Sequence, residues 1–490
     1  MTFEANGEMP PIYEAEPRLT DVNVALIGCG PYARSCYVDY FLHNDRPEAR
    51  LAATLDLSSE APIVSHTLDQ FPAQDRPKEY YISEDFEPDQ LEAYLDGLVR
   101  DNGVNAVILS TPPTQRLQYI TWALKNNIHV LADKPLTIPP NSSVNAEAAS
   151  QILADYTLVS DLYRESISTK PDLVFNLMVQ RRFHPVFQLI LEKIEEVGEK
   201  TGCGITHFQS THADGQWRMP SEVVDIGYHG YRDGNGKTSH SGYHFVDFAS
   251  QAVIKSLAAA GKQADGITVY SQPTFPSDLL HTMDLDDHHR LFGDEFKNMN
   301  KYDRDQYIRA TEGYGEVDCV SSISFTDAGK RLSTGNLNLL HNSLSGRHWL
   351  TPNMSDLYRS NGRLKQEMHY ITQGPFQSVA LSSLRGNRPA PDGTGDGSLQ
   401  LEIFRNDGVN QNWQPYERFV IDDFIPDLQD PDAHMGWARN ACIDEFIDNI
   451  VQRTLREKRI SDLLDHRVSS AVFSSVCRSI ATQSVVHETL

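Results

Sequence analysis

Val22-Asn23-Val24-Ala25-Leu26-Ile27-Gly28-Cys29-Gly30-Pro31-Tyr32-Ala33 is the stretch that decides the fold. Its first half is a short apolar run ending in glycine, the pattern of a strand buried on both faces of a parallel sheet. Its second half has the form G-x-G-x-x-A and leads into a stretch suited to a helix, Tyr32 to His43. In such a loop Gly28 permits the tight turn, Gly30 lets the backbone approach a pyrophosphate, and the small Ala33 lets helix and strand pack closely. Pro31 and Tyr32 open the helix, whose start turns free N–H groups toward phosphate charge.

Working outward, Leu51 to Asp56 is a second apolar run, and it ends in an acid. A carboxylate at Asp56 can accept hydrogen bonds from both adenosine ribose hydroxyls and would repel a 2′-phosphate. Leu57-Ser58-Ser59-Glu60 supplies no Arg or Lys to bind one, so NAD is expected in preference to NADP. Further strands are expected at Asn105 to Ser110, Ile128 to Ala132 and Asp172 to Met178. Helices are expected at Leu91 to Arg100, Arg116 to Asn126 and Ala146 to Tyr163. Short apolar strands alternating with helices imply a doubly wound parallel sheet. Thr111-Pro112-Pro113 and Asp133-Lys134-Pro135 each stop a strand. Both would lie on the carboxyl edge where open α/β sheets bind ligands, which lets Lys134 meet a substrate beside the cofactor.

After about Gln180 the rhythm changes to isolated strand-like pieces, such as Val320 to Phe325 and Leu399 to Phe404, separated by polar loops. The expected organisation is a flexible tail at 1–20, a dinucleotide-binding domain at 21–180 and an α+β domain at 181–490. An amphipathic helix is expected at Ala438 to Val451.

Composition narrows the function. The net charge of −24 repels phosphate backbones, so nucleic-acid binding through a general basic surface is not expected. No apolar run is long enough to span a membrane. The six cysteines are scattered without a CxxC, which suits neither a disulfide scaffold nor a zinc module and points to a reducing compartment, the cytoplasm.

Together these segments resemble the glucose–fructose oxidoreductase, inositol dehydrogenase and rhizopine-catabolism (Gfo/Idh/MocA) family. That family has a strand-ending T-P-x, then a strand ending E-K-P. The counterparts here are Thr111-Pro112-Pro113 and Asp133-Lys134-Pro135. Arg181-Arg182-Phe183-His184-Pro185 is similar to the family's R-R-[FY] segment, and His240-Ser241-Gly242-Tyr243-His244-Phe245-Val246-Asp247 to its D-x-G-x-H-x-x-D pattern. The resemblance covers roughly residues 21 to 250 and implies a Rossmann domain plus a C-terminal domain with a large open-faced, predominantly antiparallel sheet. Insertions are expected near 258–315 and 385–397. It also implies homo-oligomerisation and a carbohydrate or cyclitol substrate held in the cleft between the domains. By position, Lys134 and His244 would hydrogen-bond the reacting hydroxyl and relay its proton, with His240 as orienting neighbour. Thr111 and Pro112 would line the nicotinamide side.

Chemistry supports those roles, because a carbinol cannot release hydride unless its hydroxyl proton also leaves to a base. Histidine is such a base unadjusted, and lysine becomes one when buried or set beside other cations. Three departures bear on the substrate: His240 stands for Asp, Arg116 for a histidine and His184 for an Asp. Arg181, Arg182, Trp217 and Arg218 are candidates to hold substrate by charge or ring stacking. His240, His244 and Asp247 could share a helical face as metal ligands, but proton relay is the preferred reading and no metal is expected. Asp286-Asp287-His288-His289 reads as a solvated loop. Two other functions stay open: redox-assisted glycoside cleavage on the same fold, and a non-catalytic NAD-binding regulator.

Overall fold

The computed structural model describes residues 22–43, 46–86, 88–214, 218–225, 230–341, 364–386, 391, 395–426 and 433–490. The expected tail at 1–20, Trp217 and most of the expected insertion at 385–397 lie outside them.

Six strands form the first sheet: β1 (Val22–Ile27), β2 (Ala49–Leu57), β3 (Lys78–Ile82), β4 (Ala106–Leu109), β5 (His129–Asp133) and β6 (Phe175–Met178). Their order is β3-β2-β1-β4-β5-β6 and every pairing is parallel. The order reverses between β1 and β4, which opens a crevice at the carboxyl ends of the strands. Alternate residues of β1 feed opposite cores. Ala25 and Ile27 face the helices at Pro88–Asn102 and Arg116–Lys125, whereas Val22, Val24 and Leu26 face the other side. The edge strand β3 was not expected from the sequence. Its K-E-Y-Y-I is buried fully only at Ile82, and an edge strand needs no continuous apolar run.

The second face of this sheet is covered by the helical segments that follow β1 and β2, with Tyr37, Tyr40, Val64 and Leu68, and is closed from far along the chain. Cys442, Ile443, Phe446 and Ile447, on the helix His434–Val451, join the core of Val24, Leu26, Ile108 and Leu131. The boundary expected at 180/181 is therefore corrected: the Rossmann unit is completed by a C-terminal helix whose apolar stripe has this sheet as its partner.

The second sheet has nine strands in the order β14-β13-β12-β11-β7-β10-β9-β8-β15. They are β7 (His207–Ala213), β8 (Gly266–Thr274), β9 (Asp318–Asp327), β10 (Lys330–Leu340), β11 (Lys365–Gln373), β12 (Gln377–Arg385), β13 (Asp396–Arg405), β14 (Tyr416–Val420) and β15 (Val486–Thr489). All neighbours are antiparallel except β7 and β10. The inner face packs on helices Pro185–Thr201, Tyr243–Ala259 and Arg467–Thr482. The outer face leaves Tyr270, Val320, Tyr370 and Phe404 exposed.

The expected insertion at 258–315 is corrected at its start, because it contains β8, a strand of this sheet. After β8 the chain forms a run of short helices from Pro276 to Ala310. Asp286 to His289 lies on one of them, Leu285–Phe292, rather than in a solvated loop. Asp284 and Asp287 form a capping box there, and His288 is buried, stacked on Phe296.

Candidate active site

The carboxyl ends of the parallel strands and the ends of β7, β11 and β12 enclose a cleft of about 1180 Å³. It holds the expected residues Gly28, Gly30, Pro31, Tyr32, Ala33, Asp56, Thr111, Pro112, Lys134, Arg181, His240 and His244 on its walls.

At one end, Gly28 has φ +87°, and a Cβ there would meet the backbone of Ser110 and Thr111 at 2.8 Å. The glycine loop thus lies directly against the end of β4. Gly30 differs: a Cβ would find nothing within 4 Å, because that space is the cleft itself. Beyond it, the first-turn N–H groups of Tyr32 and Ala33 have no intrahelical acceptor. Asp56 accepts hydrogen bonds from the N–H of Cys29 (2.6 Å) and of Leu57 (2.7 Å), one on each carboxylate oxygen. Each oxygen keeps a lone pair for a ribose hydroxyl. Glu60 and Glu84 line the same end. An open cradle, free N–H groups and an acid at a strand end fit an NAD dinucleotide.

At the other end stands Lys134. Asp133 before it is buried, its carboxylate held by the hydroxyls of Tyr37 and Ser110. Arg116, fully buried, donates to the carbonyls of Asp133 and Pro135 and to that of Thr111 (2.6 Å). It staples the two strand ends together, so the departure at this position is structural. Lys134 Nζ donates to the carbonyl of His240 at 2.6 Å. Removal from bulk water pushes its pKa down to about 8; Asp133 opposes this, and the cations Arg181 and Arg116 reinforce it.

His240 and His244 reach the cleft from one helical rod. Its first turn, Thr238–Gly242, is a π turn, and it continues as Tyr243–Ala259. Such turns recur at functional sites because they re-aim side chains. His244 is 8% exposed, and its Nδ1 finds no hydrogen-bond partner among the described residues. Burial, together with the charges of Lys134 and Arg181, holds its pKa well below the ordinary histidine value. His240 Nε2 lies 2.9 Å from the hydroxyl of Tyr231.

Other expected residues are placed differently. Arg182 does not line the cleft. It donates to both oxygens of the buried Asp247 at 2.7 and 2.9 Å, which pins the rod to the interior. Asp247 also takes Ser469 and lies 3.2 Å from His466, so it turns away from His240 and His244. No group of three side chains able to hold a metal occurs among the described residues. Arg218 is buried behind the cleft wall, 5.9 Å from the Tyr231 ring. Arg181 lines the cleft but is bound through two hydrogen bonds to Glu367, at 2.6 and 2.8 Å, and lies over Phe245. His184 caps the helix Pro185–Thr201 and contacts His434 at 3.0 Å.

The structure adds groups that the motifs did not mark. Asp214 and His212 line the cleft from the end of β7. Asp214 pairs with the buried Lys237 at 2.6 Å, which together with His341 and His212 holds its carboxyl well below the usual range despite burial. His212 stacks on Phe245, and burial pushes it down to about 3. Their one signal in the sequence was position, since they end a strand of the second sheet.

Fold and cleft define the class: a Rossmann dinucleotide-binding domain set against a predominantly antiparallel sheet. Residues 22–155 match the family model for Gfo/Idh/MocA, the oxidoreductase family with NAD-binding Rossmann fold. That match covers the nucleotide-binding domain. No curated protein matches it. Among solved structures it resembles aldose-aldose oxidoreductase from Caulobacter crescentus complexed with glycerol, at 12% identity over 95% of this chain and 99% of that one, TM-score 0.55. It is also similar to the WlbA dehydrogenase from Bordetella pertussis in complex with NADH and UDP-GlcNAcA, at 14% identity over 96% and 98%, TM-score 0.55. A third is an oxidoreductase from Agrobacterium radiobacter in complex with NAD+, L-tartaric acid and magnesium, at 13% over 95% and 98%, TM-score 0.54. At these identities the likeness is one of fold. No helix among the described residues is long and apolar enough to cross a membrane.

Proposed function

We propose that the protein is an NAD-dependent dehydrogenase acting on a hydroxyl-bearing carbon of a sugar, sugar derivative or cyclitol. The observation that carries this is the meeting, in one cleft, of the Gly28–Gly30 cradle and Asp56 with Lys134, His240 and His244. Gly28, Gly30 and the helix start hold the pyrophosphate, Asp56 holds the ribose, and Thr111 and Pro112 flank the ring. The acidic lining of Asp56, Glu60 and Glu84 favours NAD over NADP. When bound, the dinucleotide supplies the hydride acceptor.

Lys134 takes the hydroxyl proton at Nζ, since a pKa of about 8 leaves part of it neutral near neutral pH. His244, kept neutral, orients the hydroxyl by hydrogen bonding rather than carrying charge. Arg181, tied to Glu367, offers its edge to substrate oxygens. The exposed apolar residues of the outer sheet face support self-association.

The test is NADH formation by the purified protein across a panel of aldoses, aldonic acids, polyols, cyclitols and glycosides, with Lys134→Ala beside it. Loss of turnover with NAD binding retained is expected. Full activity of the variant overturns the assignment. Release of an aglycone with no net NADH would instead select redox-assisted cleavage.

A further inference from the structure

We infer that His240, Tyr231, His341 and Asp318 form a proton relay that carries the substrate's hydroxyl proton out of the cleft, an inference that rests on the dehydrogenase reading above. The members are continuous. His240 Nε2 lies 2.9 Å from the Tyr231 hydroxyl, which lies 3.3 Å from His341 Nε2, and His341 Nδ1 lies 2.9 Å from Asp318 Oδ1. His240 is a wall of the cleft, whereas Tyr231 and His341 lie behind it, each 8% exposed. The Asp318 side chain is 20% exposed and is not part of the cleft lining. The chain therefore runs from the cleft wall through the interior to a partly exposed carboxylate outside the cleft lining.

Valence gives the chain a direction. An ionised carboxylate only accepts, so Asp318 fixes the proton of His341 on Nδ1. The same oxygen also accepts the backbone N–H of His341 at 2.7 Å, which holds it in place. A neutral His341 then presents Nε2 as an acceptor, and Tyr231 must donate to it. The tyrosine oxygen, having spent its one hydrogen, accepts from Nε2–H of His240. A neutral His240 is left with Nδ1 as its acceptor, on the residue whose carbonyl already anchors Lys134.

Transfer then balances. A proton from Lys134 reaches Nδ1 of His240 through the cleft that both residues line, and Nε2–H passes to Tyr231. The tyrosine O–H passes to Nε2 of His341, and Nδ1–H leaves to Asp318 and water. One proton enters, one leaves, and no electrons move. The surroundings suit the charged intermediate. Asp214 Oδ1 lies 4.0 Å from His341 Nε2, so the imidazolium sits between two carboxylates. Lys237 is neutralised by Asp214, and Arg218 and Glu316 act on Tyr231 with opposite signs. Burial holds the Tyr231 hydroxyl well above its ordinary pKa, so it exchanges protons without becoming an anion. Tyr231 and His341 touch no substrate; they are positioning residues that act through His240.

The test uses the full chain. In ¹⁵N-histidine-labelled protein, long-range ¹H–¹⁵N spectra, assigned by loss of signal in H240Q and H341Q, should show His341 as the Nδ1–H tautomer and His240 as the Nε2–H tautomer. In Tyr231→Phe, the His240 preference should relax while the melting temperature stays near that of the parent. With whichever panel substrate turns over, Y231F should lower kcat roughly tenfold or more, with KM little changed. That loss should shrink as imidazole buffer concentration rises, which a merely structural defect would not do. An Nδ1–H tautomer at His240, or a Y231F kcat that is unchanged or insensitive to buffer, overturns the relay. If no substrate yields NADH, the dehydrogenase reading fails separately, and the tautomers still decide whether the chain exists.

Discussion

Lys134 donates its side-chain proton to the backbone carbonyl of His240 at 2.6 Å, so the lysine of the nucleotide domain is fastened to the histidine-bearing rod of the second domain. The contact joins the two halves of the cleft at this lysine, and four consequences of this architecture, taken with the proposed function, can be measured.

The first concerns pH. Burial lowers the Lys134 pKa to about 8, and oxidation requires its neutral form. The rate of alcohol oxidation should therefore rise with pH and level off above about 8, while reduction of the matching ketone should fall over the same interval. Lys134→Arg keeps the charge but cannot deprotonate near neutrality, so oxidation should drop about 100-fold or more while NAD still binds. A pH–rate profile of both directions checks the signs.

The second separates two glycines. Gly28→Ala forces a Cβ to 2.8 Å from the backbone of Ser110 and Thr111 at positive φ, so it should lower the melting temperature. Gly30→Ala meets no atom within 4 Å and should melt like the parent. Its methyl enters the cofactor cradle, so the Kd for NAD should rise by about tenfold or more. Calorimetry and fluorescence titration read the two effects independently.

The third is cofactor choice. Asp56→Ser removes the carboxylate that we propose holds the ribose and that accepts from Cys29 and Leu57. NAD affinity should fall about 10-fold to 100-fold, the loss of charge-assisted hydrogen bonds worth about 1.5–3 kcal/mol. NADP should be penalised less than before. Titration with both dinucleotides tests this.

The fourth is acid stability. Arg182 and Asp247 form a buried pair, and Arg182 with His466 depresses the Asp247 carboxyl despite its burial. A depressed carboxyl stabilises the fold fully above its unfolded value of about 4 and loses that contribution as pH falls below it. Arg182→Met strands the carboxylate and should cost about 3–5 kcal/mol at neutral pH. It should also flatten the acid limb of the unfolding profile, measured by denaturant titration from pH 3 to 7.

Much of the nucleotide domain was legible because parallel strands buried on both faces must be largely apolar, and Val22–Ile27, Asn23 apart, and Ala106–Leu109 are. The edge strand Lys78–Ile82 escaped because one open side relaxes that demand. In the site, Lys134, His240 and His244 were visible as motif positions. Asp214, Tyr231, Lys237 and His341 were not, because their meeting depends on strand order in the second sheet and on the helices after β8. Arg182 lies outside the cleft lining for a related reason. Its partner Asp247 is far away in sequence, and spacing alone does not show which of two adjacent arginines turns inward.

The helix His434–Val451, lying across the sheet that begins at Val22, makes the core of the nucleotide half dependent on residues synthesised long after its last strand, Phe175–Met178. Until that stretch emerges from the ribosome, Val24, Leu26 and Ile108 have only part of their cover, from Tyr37, Tyr40, Val64 and Leu68. A fragment ending near residue 180 should expose sticky surface and capture chaperones instead of dinucleotide. Completion of the nucleotide half consequently waits on translation well beyond its own sheet.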